Sequence, residues 1–129
     1  MGLSYAELSA ARPEIILVTM SAYGSSGPWK DRVGFDSIGQ AMCGAAYLSG
    51  THESPARTQV SWVDFSTGVH CAYGALLALL QRQATGVGQQ VQGTPLASAS
   101  NGTNDQSIQH ALTGRNRTPV RSEAAGPRP

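Results

Sequence analysis

Apolar positions in the first part of the chain form a short helical pattern and then a continuous run. Ser4 followed three residues later by Glu7 is a capping-box pattern, which predicts a short helix over residues 5–11 that Pro13 ends. Residues 14–20 are mostly apolar and β-branched, without the alternation of a half-exposed strand. This run predicts a strand covered on both faces, as in a parallel sheet flanked by helices.

A loop rich in glycine and serine, residues 21–28, follows the predicted strand. Open α/β sheets bind ligands in loops at the carboxyl ends of their strands, although an ordinary turn explains Gly24 and Gly27 equally well. Residues 34–49 then predict a helix with one apolar face and one face of small residues, and Gly50 is placed to end it.

The longest helical pattern covers residues 65–82, with Asp64 directly before it. Six apolar side chains recur on one face with helical spacing: Val69, Ala72, Tyr73, Leu76, Leu77 and Leu80. The other faces are also mostly apolar or small, so we expect this helix to be buried on several sides. The glycine-containing segment 85–88 closes it.

The chain becomes more polar from Gln89 onward. A weak helical pattern covers residues 96–112, and residues 113–129 are rich in arginine, proline and glycine. We expect residues 1–112 to belong to one folded domain and residues 113–129 to form a poorly ordered tail in isolation.

Composition adds a fact that the pattern does not show, because charged residues are scarce. Of the 129 residues, 15 are glycine and 13% are charged, which is about half the share in a typical soluble domain. A small monomer must be mostly surface, so this composition is unexpected in so short a chain. It indicates the buried centre of a larger protein.

Charge and cysteine usage exclude several function classes. A net charge of +1 provides neither the basic surface that binds nucleic acid nor a polybasic segment that binds membranes. Residues 72–80, the longest apolar run, are too few to span a bilayer, and residues 1–8 lack the features of a secretory signal. We therefore expect a cytoplasmic protein.

Cys43 and Cys71 are expected to be small buried side chains. His52 and Glu53 are expected to lie in a solvated turn rather than in a metal site.

Asp64 is the strongest candidate for chemistry, because it stands at the start of a buried helix. One interpretation is an N-cap that accepts a hydrogen bond from a backbone N–H of the first turn. The other is a carboxylate oriented by backbone amides in a partly dry pocket, where it acts as a covalent nucleophile. The two roles are compatible. Asp36 is a weaker candidate, since interaction with the dipole of its own helix explains it.

Three further side chains have structural alternatives. Lys30 and Arg32 place two cations beside the glycine loop, either in a solvated turn or in contact with a phosphate-bearing ligand. His70 is better explained as a packed histidine than as a base, and no spacing indicates a serine–histidine or cysteine–histidine arrangement.

Two blocks of the sequence resemble a known family. The first is the run from Ile15 to Gly24, followed by Gly27-Pro28, Asp31-Arg32, Gly34-Phe35-Asp36 and Gln40-Ala41. The second is Asp64-Phe65-Ser66-Thr67-Gly68, followed by Gly74, Ala78-Leu79, Arg82 and the run from Thr85 to Gln89. In order and spacing they resemble the middle of a family III CoA-transferase, the group that includes formyl-CoA transferase, L-carnitine CoA-transferase and α-methylacyl-CoA racemase. Residues 113–117 add a weaker match.

The resemblance implies an α/β fold, as an incomplete part of a Rossmann-like large domain with a parallel sheet. It implies acyl-CoA:carboxylate CoA-transferase activity, in which Asp64 forms a covalent aspartyl intermediate and Asp36 is the acidic residue near it. Coenzyme A takes part as the acyl-CoA substrate, and no metal is implied. The residues that the resemblance places at the coenzyme A site are Tyr23, Gly24, Gly27 and Arg32.

Two alternatives stay open beside the transferase. A CoA-thioester racemase of this family would carry a histidine just before the acid, where this chain has Phe35, and the difference favours acyl transfer. An inactive remnant is the other alternative, because family members are roughly three times as long as this chain, well beyond one compact domain. The resemblance also implies an interlocked homodimer with no nucleic-acid or membrane partner. We expect exposed apolar helix faces where the rest of such an enzyme is missing.

Overall fold

The computed structural model describes residues 3–51, 53–117 and 119, which form a mixed α/β fold. Its elements are α1 (Tyr5–Ala11), β1 (Leu17–Met20), α2 (Asp36–Met42), α3 (Ala45–Ser49), α4 (Trp62–Thr85), β2 (Gln90–Gly93), α5 (Pro95–Gly102) and α6 (Asn104–Thr113). Helix α1 has the predicted bounds and the predicted capping box. The Glu7 N–H donates to the Ser4 hydroxyl at 3.2 Å, and the Ser4 N–H donates to the Glu7 carboxylate at 2.8 Å.

The two strands form a parallel pair, as the apolar run predicts. Leu17 lies opposite Gln90, and Met20 lies opposite Gly93. Strand β1 is shorter than the run, and the expectation that both its faces are covered is wrong for this chain. The side chains of Val18 and Met20 are 41% and 56% exposed. The sequence pattern does not predict β2, because a four-residue strand with alternating glutamines has almost no periodic signal.

The single helix predicted over residues 34–49 is wrong, because two short helices occupy that segment. Helix α2 ends at Met42 and α3 begins at Ala45. Gly44 between them has a φ of +82°, in the left-handed region that glycine adopts at little steric cost. The small residues of this segment therefore include a helix break as well as a packed face.

Helix α4 is longer than predicted at both ends and packs through its small side chains. It begins at Trp62 rather than at 65 and ends at Thr85. Its buried residues are Val63, Thr67, Cys71 and Ala78. This face lies against β2 and α5. The contact is so close at Gly93 that a Cβ there would overlap the sulfur of Cys71.

The large apolar side chains that predict α4 lie on a face that the described chain does not cover. Phe65 and Val69 are 75% and 68% exposed, and Tyr73, Leu76 and Leu80 are exposed as well. The expectation of burial on several sides is therefore wrong within this chain, whereas the expectation of exposed apolar helix faces is confirmed.

Helix α4 also revises the argument about membranes. By length and composition it could cross a bilayer, so the short run at residues 72–80 does not by itself exclude a membrane span. A core helix of a soluble protein can also be this long and this apolar, and α4 packs against β1, β2 and α5. The prediction of no membrane partner stays a prediction.

The helix predicted over residues 96–112 is two helices, α5 and α6, which meet at Thr103. The Thr94 hydroxyl caps α5 by accepting the N–H of Ala97 at 3.1 Å. Cys71 is buried as predicted, Cys43 is half-buried, and both are free thiols. His52 lies outside the described residues, as do 118 and 120–129, so the proposed tail and the domain boundary at 112 stay predictions.

Candidate active site

The first turn of α4 and the loop after β1 lie at the same edge of the sheet. Near its start, α4 meets Gly93, the last residue of β2, through Thr67 and Cys71. Farther along the helix, Gly74 meets Val91, so the helix runs antiparallel to the strand. Its first turn therefore extends past the carboxyl edge, the edge at which open α/β sheets bind ligands.

Asp64 is the third residue of α4, and its side chain is half-buried. Its interpretation as the N-cap is wrong, because the N-cap is Ser61, whose side chain makes no capping hydrogen bond. No hydrogen bond joins the Asp64 carboxylate to another described residue. A carboxylate in the first turn interacts favourably with the positive end of the helix dipole. Within the described chain, neither carboxylate oxygen accepts a hydrogen bond.

Asp36, the first residue of α2, performs the capping that the sequence assigns to Asp64. Its side chain is 4% exposed. One carboxylate oxygen accepts the backbone N–H of Val63 on α4 at 2.8 Å, and the other accepts the side-chain N–H of Gln40 at 2.5 Å. The structure thus brings the two predicted catalytic carboxylates to the same end of α4.

Gln40 is a buried member of this cluster for which sequence reasoning gives no role. Its side chain is 0% exposed. Its carbonyl oxygen accepts the backbone N–H of Thr58 at 2.8 Å and the Thr58 hydroxyl at 3.2 Å. Its amide nitrogen lies 3.4 Å from the carbonyl oxygen of Val60. The one signal in the sequence is its spacing of i, i+4 from Asp36 on a helix.

The loop after β1 carries the residues predicted to hold coenzyme A. Gly24 and Gly27 have φ angles of +89° and +90°. The rings of Tyr23 and Trp29 meet edge to face with their centroids 5.4 Å apart. The guanidinium of Arg32 lies over the Trp29 ring, 5.1 Å from its centroid. The aromatic rings therefore hold the cation at the exposed surface of the loop.

The loop reaches the carboxylate cluster through α2 rather than through Asp64. A Cβ on Gly34, just before α2, would lie 3.0 Å from the Cβ of Ala22. Among the described residues, no hydrogen bond joins Asp64 to Tyr23, Gly24, Gly27 or Arg32. In the described chain, no hydrogen bond therefore links the predicted coenzyme A residues to the predicted nucleophile.

His70 forms a second polar group at this edge of the sheet. It is exposed rather than packed, and its Nδ1 lies 3.1 Å from the hydroxyl of Ser98. Both line a cavity of about 290 Å³ next to Gly93. A larger cavity of about 470 Å³ lies between α3 and α6 and contains none of the predicted site residues. Within the described part of the chain, no three His, Cys, Asp or Glu side chains are grouped as a metal would need.

Comparison with known proteins identifies the family. The family model described as CoA-transferase family III matches residues 1–128 of this chain. The chain belongs to this family. The resemblance of the two sequence blocks is thereby confirmed, and the motifs that contain Asp36 and Asp64 are part of a match that extends over almost all of the chain.

Two curated relatives show what kind of protein the family contains. The chain is 42% identical over 91 residues to the succinyl-CoA–D-citramalate CoA-transferase of Chloroflexus aurantiacus, a match that covers 70% of this chain and 23% of that protein. It is 39% identical over 100 residues to the mouse succinyl-CoA:glutarate CoA-transferase, which covers 76% of this chain and 23% of that protein. The chain therefore spans about a quarter of the length of these relatives.

A solved structure confirms the fold. A CaiB/BaiF family protein from Brucella suis superposes with a TM-score of 0.84 at 28% identity, over 91% of this chain and 31% of that one. The α/β class and the parallel sheet predicted from the sequence are thus confirmed as those of the family. The part of that protein outside the match is about twice the size of the matched part.

Proposed function

We propose that the protein containing this chain transfers coenzyme A from an acyl-CoA to a free carboxylic acid. The observation that carries the proposal is the family match over residues 1–128, together with the unbonded Asp64 carboxylate at the carboxyl edge of the sheet. The racemase alternative has no support at Phe35, which occupies the N-cap position of α2 where a racemase would need a histidine.

Asp64 is the nucleophile in this proposal. Its half-buried position limits the water that surrounds the carboxylate, and a negative charge in the first turn of α4 interacts favourably with the positive end of the helix dipole. A nucleophile also needs lone pairs that are free of strong hydrogen bonds. Of the two carboxylates at this helix end, Asp36 has both oxygens occupied and Asp64 has neither.

The reaction then proceeds by exchange of acyl groups and CoA on Asp64. A carboxylate oxygen attacks the thioester carbonyl carbon, the carbon–sulfur bond breaks, and CoA leaves as a thiolate. The thiolate attacks the aspartyl carbonyl of the resulting anhydride, which releases the donor acid and leaves an aspartyl-CoA thioester. The acceptor carboxylate attacks the carbonyl carbon of this thioester, the carbon–sulfur bond breaks, and CoA thiolate leaves a second mixed anhydride between Asp64 and the acceptor. The thiolate then attacks the acceptor's carbonyl in that anhydride, which forms the new acyl-CoA and frees the Asp64 carboxylate. One thioester is consumed and one is formed, so no other energy source is needed.

The substrates in this proposal follow the relatives. Two of them are named as enzymes that use succinyl-CoA with a dicarboxylic acid, citramalate or glutarate. We therefore propose a short dicarboxylate as acceptor or donor. Coenzyme A lies along the loop after β1, where the exposed guanidinium of Arg32 suits a phosphate. We also propose that this protein is cytoplasmic and forms a homodimer.

The test is chemical trapping of Asp64. The protein that contains this chain is incubated with succinyl-CoA, and hydroxylamine is added to convert an activated aspartyl group into a stable hydroxamate. We expect the hydroxamate on Asp64, located by mass spectrometry of its peptide. Asp64→Asn is expected to lower CoA transfer roughly a thousandfold or more, as is typical when a covalent nucleophile is removed.

A matched control separates nucleophile loss from general damage. Asp105 on α6 forms an exposed ion pair with Arg117, which lines the larger cavity that contains none of the predicted site residues, so Asp105→Asn is expected to retain trapping and turnover. A label on another residue, or an unmodified Asp64 during steady turnover, would contradict the assignment.

A further inference from the structure

We infer that Gln40, acting through Asp36, is a positioning residue that fixes the first turn of α4 and thereby the direction of the Asp64 carboxylate. The inference rests on the proposed function, since it assigns Gln40 and Asp36 to the support of that nucleophile. The name "amide clamp" is used below for these two side chains together with Thr58 and the N–H of Val63.

The clamp ties the segment that leads into α4 to helix α2. Gln40 accepts two hydrogen bonds from Thr58, at 2.8 and 3.2 Å, and its amide N–H groups are directed at Asp36 and Val60. Asp36 then accepts the N–H of Val63. Two side chains four residues apart on one helix therefore hold the chain from 58 to 63 by its backbone.

The first turn of α4 depends on this support because it has no local cap. The first N–H groups of a helix have no partner within the helix, and a side chain at the N-cap usually supplies one. The Ser61 side chain does not do so here. The Asp36 carboxylate supplies the acceptor from another helix, and the positive end of α4 in turn favours the buried negative charge.

Packing makes the connection stiff. Val63 is completely buried, and a Cβ on Gly39 would lie 2.7 Å from its Cγ1 atom. Helix α2 therefore contacts the first turn of α4 at van der Waals distance, between the two residues of the clamp in sequence. A change in the clamp cannot be absorbed by a gap between the helices.

Asp64 follows Val63 directly, and its carboxylate accepts no hydrogen bond from another described residue. The direction of its carboxylate is set by the backbone of the first turn and not by a side-chain partner. Attack on a thioester carbon requires the reacting atoms to be about 3–3.5 Å apart and aligned, and a displacement of about 1 Å can cost about a hundredfold in rate. Fixing Val63 is therefore a direct means of aligning Asp64.

An exchange of the two functional groups tests the clamp. In Asp36→Asn, two amides face each other, and every orientation of them leaves one N–H against another N–H. In Gln40→Glu, two carboxylates face each other, and two like charges at this distance repel. The double variant Asp36→Asn/Gln40→Glu restores a donor opposite an acceptor, because the new amide can donate to the new carboxylate. The amide oxygen at position 36 still accepts from Val63, and the carboxylate at position 40 still accepts from Thr58, whereas the 3.4 Å contact with the Val60 carbonyl is lost.

Two readouts are measured in the protein that contains this chain: hydrogen exchange of the Val63 amide and the rate of hydroxylamine trapping on Asp64. Each single variant is expected to speed exchange at Val63 and to slow trapping by about ten- to a hundredfold, while KM for the acyl-CoA changes little. The double variant is expected to recover most of both, since the contacts form one coupled network. Gln109→Glu, the same change on the exposed surface of α6, is the control and should alter neither.

Two results would overturn the inference, and a third separates its failure from that of the proposed function. Recovery of Val63 protection without recovery of trapping would mean that the Asp36 carboxylate itself takes part in the chemistry. Unchanged trapping in the single variants would mean that the clamp does not align Asp64. If the unsubstituted protein gives no Asp64 adduct at all, the proposed function fails first, and Val63 exchange in the variants then shows separately whether the clamp holds the helix.

Discussion

At the scale of single residues, the two candidate carboxylates differ in whether their oxygens accept hydrogen bonds. Asp36 and Asp64 both stand in the first turn of a helix, and the sequence gives each a structural interpretation, capping for Asp64 and the helix dipole for Asp36, beside a role in chemistry. The structure separates them, because Asp36 is buried with both carboxylate oxygens accepting hydrogen bonds, whereas the Asp64 carboxylate accepts none from the described residues. The division assigns capping to one residue and leaves the other available for chemistry.

Gly39 gives a prediction at this scale. Gly39→Ala would place a Cβ 2.7 Å from the buried Val63 side chain, so α2 and α4 must separate slightly. We expect the substitution to lower the free energy of unfolding by about 1–3 kcal/mol, the usual cost of overpacking, and to slow Asp64 trapping. Denaturant unfolding of the two proteins measures the first effect.

Gly68→Ala is the control for this substitution. It also replaces a helical glycine, but nothing lies within 4 Å of the added Cβ. Helix propensity alone should then raise the free energy of unfolding, by up to about 1 kcal/mol. Equal effects of the two substitutions would show that the close approach at Gly39 has no energetic consequence.

At the scale of elements, the sequence predicts the bounds of a helix or strand well when they depend on neighbouring residues and poorly when they depend on residues distant in the chain. Helix α1 has its predicted bounds because its capping box lies within four consecutive residues. Helix α4 is found at the right place but with the wrong start, because its cap comes from Asp36, far away in sequence. Strand β2 is missed because its partner β1 lies about seventy residues earlier, and parallel pairing leaves little local pattern.

The capping box of α1 gives a prediction about pH. Hydrogen bonds from the backbone and then the side chain of Ser4 hold the pKa of the Glu7 carboxyl below its usual value of 4.5. The bonded carboxylate therefore stabilises α1 above pH 4.5, and this stabilisation is lost as the pH falls through the lower pKa of the folded state. Carboxyl NMR titration should give a Glu7 pKa below 4.5.

Substitution of Ser4 tests the cause of the shift. Ser4→Ala removes the hydroxyl and keeps the backbone N–H, so the Glu7 pKa should rise only part of the way toward 4.5. Ser9→Ala is the control, because the Ser9 hydroxyl bonds to the carbonyl of Ala6 and not to Glu7. A Glu7 pKa that is the same in the Ser4 variant would show that the side-chain bond has no influence.

At the scale of the whole molecule, the distribution of apolar surface matches the low charge of the sequence. The described core consists mainly of small side chains between α4, the sheet and α5. Large side chains on α4 are left exposed, and the chain spans about a quarter of its curated relatives. An apolar helix face of this extent is unusual on a soluble monomer. The low share of charged residues in the sequence thus agrees with the exposed apolar face of α4, which no other part of the described chain covers.

The exposed face predicts self-association of the 129-residue chain. Sedimentation velocity should show its average mass rising with concentration. Val69→Lys and Leu76→Lys place charges on the exposed face, so they should reduce association and change the free energy of unfolding by no more than about 0.5 kcal/mol. Ala78→Lys is the contrasting variant, because Ala78 is fully buried and the substitution should unfold the chain. A concentration-independent monomer would contradict the prediction.

The sequence by itself determined the family, the α/β class, the parallel strand, helix α1 and the presence of a long apolar helix, because these depend on motifs and periodicities within short stretches. It also pointed to Asp64 and Asp36 as the residues for chemistry. Only the tertiary structure decided which face of α4 packs, where α4 begins, and that Asp36 and Gln40 hold its first turn. The physical reason is that buried hydrogen bonds and close helix contacts join residues distant in sequence, and a single chain's local pattern contains no record of such partners.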